Sequence, residues 1–349
     1  MNFHLSTDTP NADWDAFVAG SPWGHLLQSS PWGRFKSEFG WQVLRIIGDT
    51  GGQIVCGVQA LLRQTPVGPA VYVPRGPVLS PDDEALPALL DALSTAARDR
   101  GAVFLKIEPD WPDDTTLAGD LESLGFQRSD QTIQPRTTIV LDLRPDEDEI
   151  LMGMKSKWRY NIRLASRKDV QVRRATEKDL LAFYHLLETT SDRDNFAIHE
   201  RGYYEAAWRH FHPQSLAELL LAYYEDELLA GLMAFRFGDT AYYLYGASSD
   251  RHRDRMPNHL LQWQAIRWAK QHDCAWYDFW GIPDEIGETT VGHEVAGEHS
   301  TGGMWGVYRF KRGFGGQVVR TVGAFNRVFK PARYWLGTRG WPVIRRWVA

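Results

Sequence analysis

Cysteine is scarce in this chain of 349 residues. Its two copies, Cys56 and Cys274, sit inside apolar strand-like runs with no CxxC or Cys/His spacing. Neither a disulfide framework nor a zinc site is suggested, and a reducing cytoplasm fits best. Long apolar runs are also missing, since nothing approaches the roughly 18 uninterrupted apolar residues of a transmembrane helix. The segment Met1 to Asp15 is polar and acidic, without the basic start and apolar stretch of a secretory signal. No GxGxxG or GxxxxGK(S/T) stands after a strand, which disfavours both NAD and ATP. The 11 histidines form no HExxH, and Ser and Cys lack a GxSxG elbow or a His partner at readable spacing. No metal or cofactor is implied, and direct transfer without a covalent enzyme intermediate is the simpler hypothesis.

Net positive charge is lacking too. The chain carries −5, which alone argues against a nucleic-acid partner, but the charge is unevenly placed. From Gln317 to Ala349 stand seven Lys or Arg residues and no Asp or Glu. Such a block can face phosphates. A second basic run, 155–173, holds Lys155, Lys157, Arg159, Arg163, Arg167, Lys168 and Arg173, interrupted by Trp158, Tyr160 and Asn161. On a helix, positions 155, 159 and 163 share one face. That face is either a solvated surface or a site for a polyanion such as tRNA or a diphosphate.

With 43% hydrophobic and 24% charged residues, the chain can bury a large core and is long enough for two domains. The first half reads as a helix at 13–19, strands at 41–47, 53–62 and 71–79, a helix at 84–100 and a strand at 102–109. The second repeats the order, with strands across 218–238 and at 240–249, a helix at 257–272 and a strand at 275–283. Both copies end at a proline, Pro109 and Pro283. This is a duplicated α/β (α+β) unit of N-acetyltransferase-like (GNAT) type. The expected domains are 1–145 and 146–349, the second including the basic C-terminal segment. In an acetyl-CoA enzyme the segment 251–258, RHRDRMPN, would be a glycine-rich pyrophosphate loop. It has no glycine, so backbone amides could not approach a pyrophosphate closely and coenzyme A is disfavoured. Arg251, Arg253 and Arg255, with Asn258 after them, are candidates to grip a substrate phosphate instead.

Several stretches together resemble the Fem family of peptidoglycan interpeptide aminoacyltransferases. They are PRGPV (74–78), KSKWRYNIRLASRKDV (155–170), YGASSDRHRDRMPNHLLQWQAIRWAK (245–270), YDFWGIPD (277–284) and GVYRFKRGFGG (306–316). The resemblance implies a tandem acetyltransferase-like fold, an aminoacyl-tRNA donor as co-substrate, and a UDP-linked or lipid-linked muropeptide acceptor. Some members carry a long helical arm in the second domain. Residues 205–220 leave no room for one, so the compact form is expected. Action at the cytoplasmic side, including the inner membrane surface, follows from such an acceptor.

The same resemblance implies particular residues. Lys36, in QSSPWGRFK, falls in the acceptor-site stretch, and Arg75, Arg201, Tyr204 and Tyr245 are candidates of the same kind. Alternation along a strand puts Tyr243 and Tyr245 on one face and Tyr242 on the other. Glu108 stands before Pro109 where the family tends to be acidic, and could take a proton from the attacking amine. An ion pair with Lys106 or an arginine is the alternative. The pair Phe310-Lys311 matches the family's late lysine motif. A strand VYRFK would place Val307, Arg309 and Lys311 on one face, with Gly313, Gly315 and Gly316 freeing the turn beyond. Lys311 is expected to stabilise the oxyanion as an amine attacks the aminoacyl ester. Two rivals remain, an acyl-CoA N-acetyltransferase and a noncatalytic RNA- or membrane-binding adaptor. The C-terminal aromatics Phe325, Phe329, Tyr334, Trp335, Trp341 and Trp347 among basic residues suggest a peripheral membrane contact.

Overall fold

The computed structural model describes residues 1–8, 10–288 and 303–339. The chain forms two compact units, residues 1–136 with the chain from 320 onward, and residues 137–319.

The first unit opens with β1 (Asn2–Ser6), α1 (Ala12–Gly20) and α2 (Ser30–Ser37), followed by the antiparallel strands β2 (Gln42–Thr50), β3 (Gln53–Thr65) and β4 (Gly68–Pro74). Helix α3 (Leu86–Asp99) then crosses to β5 (Phe104–Glu108), which runs parallel to β4. Leu86, Leu89, Leu90, Leu93 and Ala97 recur at helical spacing and are all buried. That stripe packs with Leu44, Ile46, Val58, Val71 and Leu105 of the sheet, which is why the segment is a helix. α4 (Thr115–Ser123) and β6 (Gln127–Ser129) follow.

The second unit begins with β7 (Thr137–Asp142), α5 (Glu147–Gly153), α6 (Ser156–Arg167), β8 (Val170–Arg174), α7 (Leu180–Asp194) and α8 (Arg201–Phe211). The repeated motif comes next. β9 (Ala217–Tyr224), β10 (Glu227–Phe237) and β11 (Thr240–Ser248) are antiparallel, and α9 (Pro257–Gln271) crosses to β12 (Trp276–Gly281), parallel to β11. α10 (Glu285–Glu288), α11 (Gly303–Arg312) and β13 (Gln317–Arg320) complete it, giving the sheet order β13-β7-β12-β11-β10-β9-β8. Between α8 and β9 stands only a short turn around His212–Gln214, so no helical arm projects there.

The chain then returns to the first unit. β14 (Ala324–Val328) inserts between β5 and β6, giving the sheet order β1-β2-β3-β4-β5-β14-β6, and α12 (Pro331–Arg339) follows. The expected boundary near 145 therefore falls earlier, because 137–142 pairs with β12. The C-terminal segment is not an appendage of the second domain. Phe325 is fully buried in the first sheet, so deleting residues from 322 onward removes an inner strand. Trp341, Arg345, Arg346 and Trp347 lie outside the described residues.

One expected element is wrong in kind. VYRFK is the last part of helix α11, not a strand. Trp305, Tyr308 and Lys311 lie three residues apart and turn inward together, so the helical period overrides the short alternation.

Candidate active site

In the second unit the parallel strands β11 and β12 are bonded only from Thr240–Tyr242 to Trp276–Asp278, and then separate. Strand β12 slips its register against β7 between Asp278 and Gly281. At that irregularity Trp280 adopts φ 63°, a conformation a non-glycine residue rarely holds. Asp278 fixes the bend, its Oδ1 accepting from the Trp280 amide at 2.7 Å and from the Thr138 hydroxyl.

Lys311 fills the opening. Its Nζ donates to the Gly281 carbonyl at 2.7 Å and to the Trp280 carbonyl at 3.3 Å, and lies 5.5 Å from the centroid of the Tyr243 ring. An ammonium has three donors, so one remains for a substrate oxygen. Lys311 is only 6% exposed, and burial pushes its ammonium down to about 7, with Asp278 acting in the opposite direction.

Two expectations about neighbouring residues change. Gly313 keeps a negative φ and does not serve to turn the chain, although Gly315 and Gly316 do adopt positive φ. Tyr243 and Tyr245 do not share a face. A bulge pairs Tyr243 with Ala234 and Tyr245 with Met233, leaving Leu244 as the extra residue. Tyr243 faces Lys311. Tyr245 faces the rings of Tyr204, Phe235 and Tyr203, at 5.1, 5.7 and 6.5 Å. On α8, Arg201 is exposed and paired with Glu205 at 3.0 Å, while Tyr204, one turn on, is buried and accepts from the His199 amide.

The basic helix is as expected in kind, but its members differ. Lys155, Lys157 and Arg163 are exposed, and none has a carboxylate within pairing distance among the described residues. Arg159 instead donates to the Met152 and Met154 carbonyls at the end of α5. The loop arginines are engaged as well. Arg251 pairs with Glu227 at 3.0 Å, and Arg253 with Asp250 at 3.5 Å. Arg255 donates to the Lys168 carbonyl at 2.6 Å and lies 3.3 Å from the Tyr224 ring centroid. Asn258 is half-buried in the first turn of α9, a helix that begins with Pro257 and so offers one amide fewer to a pyrophosphate.

In the first unit, Lys36, Arg75 and Glu108 belong to one connected group. The Lys36 ammonium lies 5.7 Å from the Trp41 ring, and Trp41 packs 6.5 Å from Tyr72. The Tyr72 hydroxyl donates to Glu108 at 2.6 Å. Arg75 pairs with Asp110 at 2.9 Å, and with Glu108, Gln134 and Arg136 lines a small cleft. Burial, with Arg63 adding to it, lowers Lys36 to about 8. Glu108 is buried with both oxygens engaged, by Tyr72 and by the amides of Ile133 (2.5 Å) and Gln134 (2.9 Å). Burial still raises its carboxyl above the usual value. Lys106 does not pair with it, bonding Ser129 and Gln131 instead. Sequence reading missed Tyr72, Trp41, Tyr203 and Trp280, whose parts depend on partners distant in the chain. Among the described residues, no cluster of His, Cys, Asp and Glu could hold a metal.

Two sheets with the same strand, helix and parallel-strand order, and a buried lysine in the split of the second, define a tandem acetyltransferase-like α/β protein. The model of the FemAB family matches residues 9–227 and 223–338, and the chain belongs to that family. It is 28% identical to a lipid II:glycine glycyltransferase of Staphylococcus aureus, over 93% of each chain. That alignment runs over 404 positions, more than the 349 residues here, so the relative carries insertions this chain lacks. Among solved structures, FemX superposes with a TM-score of 0.82 at 26% identity, over 95% of this chain and 99% of the other. A tandem GNAT protein from the clavulanic acid pathway shares the fold, at TM-score 0.56 and 12% identity over 93% of this chain and 98% of the other.

Proposed function

We propose that this FemAB-family transferase moves an amino acid from aminoacyl-tRNA onto the side-chain amine of the stem peptide of a peptidoglycan precursor. The observation that carries the reading is the buried Lys311 ammonium in the split between β11 and β12, with one donor left over. The amine nitrogen attacks the ester carbonyl carbon, whose oxygen becomes an oxyanion. Lys311 donates to that oxygen while the Trp280 and Gly281 carbonyls hold the ammonium in place. Collapse forms the amide and expels the ribose oxygen, which takes the proton shed by the amine. An aminoacyl ester is already activated, so no nucleotide hydrolysis enters. The glycyltransferase relatives support a peptidoglycan precursor as acceptor.

The tRNA is held by the outer face of α6. Its first turn carries Lys157 and no acidic residue, an arrangement that opposes the helix dipole and that a bound phosphate offsets. Arg201, Tyr204 and Tyr245 contact the precursor on the other face of the second unit's sheet. Glu108 serves as the anchor of the 133–134 segment rather than as a base. Precursors of the lipid-linked kind suit the exposed Trp335 (52%) and Leu336 (61%) of α12, which face a membrane surface beside Arg333. Among the described residues no helix is long and apolar enough to cross one.

The test is incubation with a mixture of charged tRNAs and either a UDP-linked or a lipid-linked muropeptide, followed by mass measurement of the product. A mass gain of one aminoacyl residue, abolished by ribonuclease, is expected. Undiminished transfer after complete RNA digestion overturns the donor assignment, and saturable acetyl-CoA binding with acetyl transfer would favour the coenzyme A reading.

A further inference from the structure

Lys311 sits near the end of α11, where the last carbonyls of a helix have no partner within it. One of them, of Phe310, accepts from the Trp158 indole Nε1 at 3.0 Å, and the Gly313 carbonyl accepts from the Lys155 amide at 2.9 Å. The indole also lies directly against Gly313, where any Cβ would overlap its ring atoms. The group is closed by aromatic edges, with His259 packing 5.3 Å from both Trp158 and Phe310, and Phe314 packing 5.1 Å from Phe310. Asn161, on the same side of α6 as Trp158, bonds the His259 ring at 3.1 Å. Trp158 therefore touches residues on both sides of Lys311, at Phe310 and at Gly313.

The other end of α6 is tied down too. Arg255 donates to the Lys168 carbonyl, and Lys168 pairs with Asp254 at 2.6 Å. Helix α6 is a strut fixed at both ends, with Lys155, Lys157 and Arg163 on its outer side and the Lys311 turn against its inner side.

We propose that Trp158 is a positioning residue of the transfer reaction, holding the Phe310 and Gly313 backbone so that Lys311 is aimed into the split and kept in register with the basic face of α6. This rests on Lys311 being the reaction centre. It explains why a large aromatic interrupts the basic run, and why the motif after Lys311 has glycine at 313 although the backbone there does not demand it.

The test uses the full chain with aminoacyl-tRNA and muropeptide. Trp158→Phe keeps the ring packing and removes the donor, and Gly313→Ala displaces the indole from the opposite side. Each is expected to lower kcat about tenfold while KM for aminoacyl-tRNA stays within about twofold, in protein whose melting shows it folded. Added to Lys311→Met, Trp158→Phe is expected to cause no further loss, because both act through the same ammonium. Unchanged kcat in Trp158→Phe overturns the proposal, and so does a full additional tenfold loss in the Lys311→Met background. If Lys311→Met alone keeps normal turnover, it is the reading of Lys311 that fails. If Lys311→Met is inactive while Trp158→Phe is normal, only the positioning role fails.

Discussion

Tyr243 and Tyr245 stand two residues apart on β11 yet face opposite sides of the sheet, because the bulge at Leu244 turns the strand over between them. Tyr243 covers Lys311, and Tyr245 joins Tyr203 and Tyr204. Removing the Tyr245 hydroxyl is expected to raise KM for the muropeptide by up to about tenfold, the worth of one hydrogen bond to that substrate, with little change in kcat. Steady-state kinetics of Tyr245→Phe with acceptor varied reads this. A fall in kcat at unchanged KM would move Tyr245 to the chemical step.

Glu108 accepts from Tyr72 and two backbone amides, so its loss is a loss of structure. Glu108→Gln turns one acceptor oxygen into a donor group facing an amide, at a cost of about 1–3 kcal/mol. Its urea midpoint is expected to fall, while turnover per folded molecule stays within about threefold of wild type. A loss of two decades in a variant of unaltered stability would instead make Glu108 the base.

Reversing the charge of Lys155, Lys157 and Arg163 together is expected to raise KM for aminoacyl-tRNA. It should also flatten the dependence of log affinity on log salt by up to about one for each phosphate that the variant no longer binds. Arg159→Ala is expected to lower the melting temperature instead, since Arg159 holds the end of α5. Equal salt slopes for wild type and the triple variant would show that this face does not meet the nucleic acid.

The burial that lowers Lys311 to about 7 also fixes a stability profile. Between about 7 and the ordinary lysine value the unfolded chain binds more protons at this site than the folded one. The cost of the buried charge is therefore fully present below about 7 and disappears as pH rises toward 10.5. Lys311→Met is expected to be more stable than wild type at pH 6.5, with the gap narrowing steadily up to pH 9.5 in urea titrations. A gap that is constant or widens contradicts the burial.

Much of the architecture was legible in the sequence. The β-branched runs in both copies, and in the first the stripe at Leu86, Leu89, Leu90 and Leu93, mark the repeat, because each element there follows its own local period. What was hidden depends on distant partners. β14 joins β5 across more than 200 residues of chain, and nothing within AFNRV names that partner. The bulge at Leu244 is a relation between two strands. VYRFK alternates over five residues and is also compatible with a helix, so only its packing decides. Lys311, Lys36 and Arg75 were found through resemblance, whereas the partners of Glu108 come from a loop, 133–134, that carries no pattern.

The most direct measurement is transfer by Lys311→Met, with binding of aminoacyl-tRNA and of the muropeptide measured separately. Loss of one oxyanion donor predicts a fall in turnover of about 10²–10³, or about 3–4 kcal/mol of barrier, with both substrates bound nearly as before. Turnover close to wild type would contradict the assignment of Lys311 as the reaction centre.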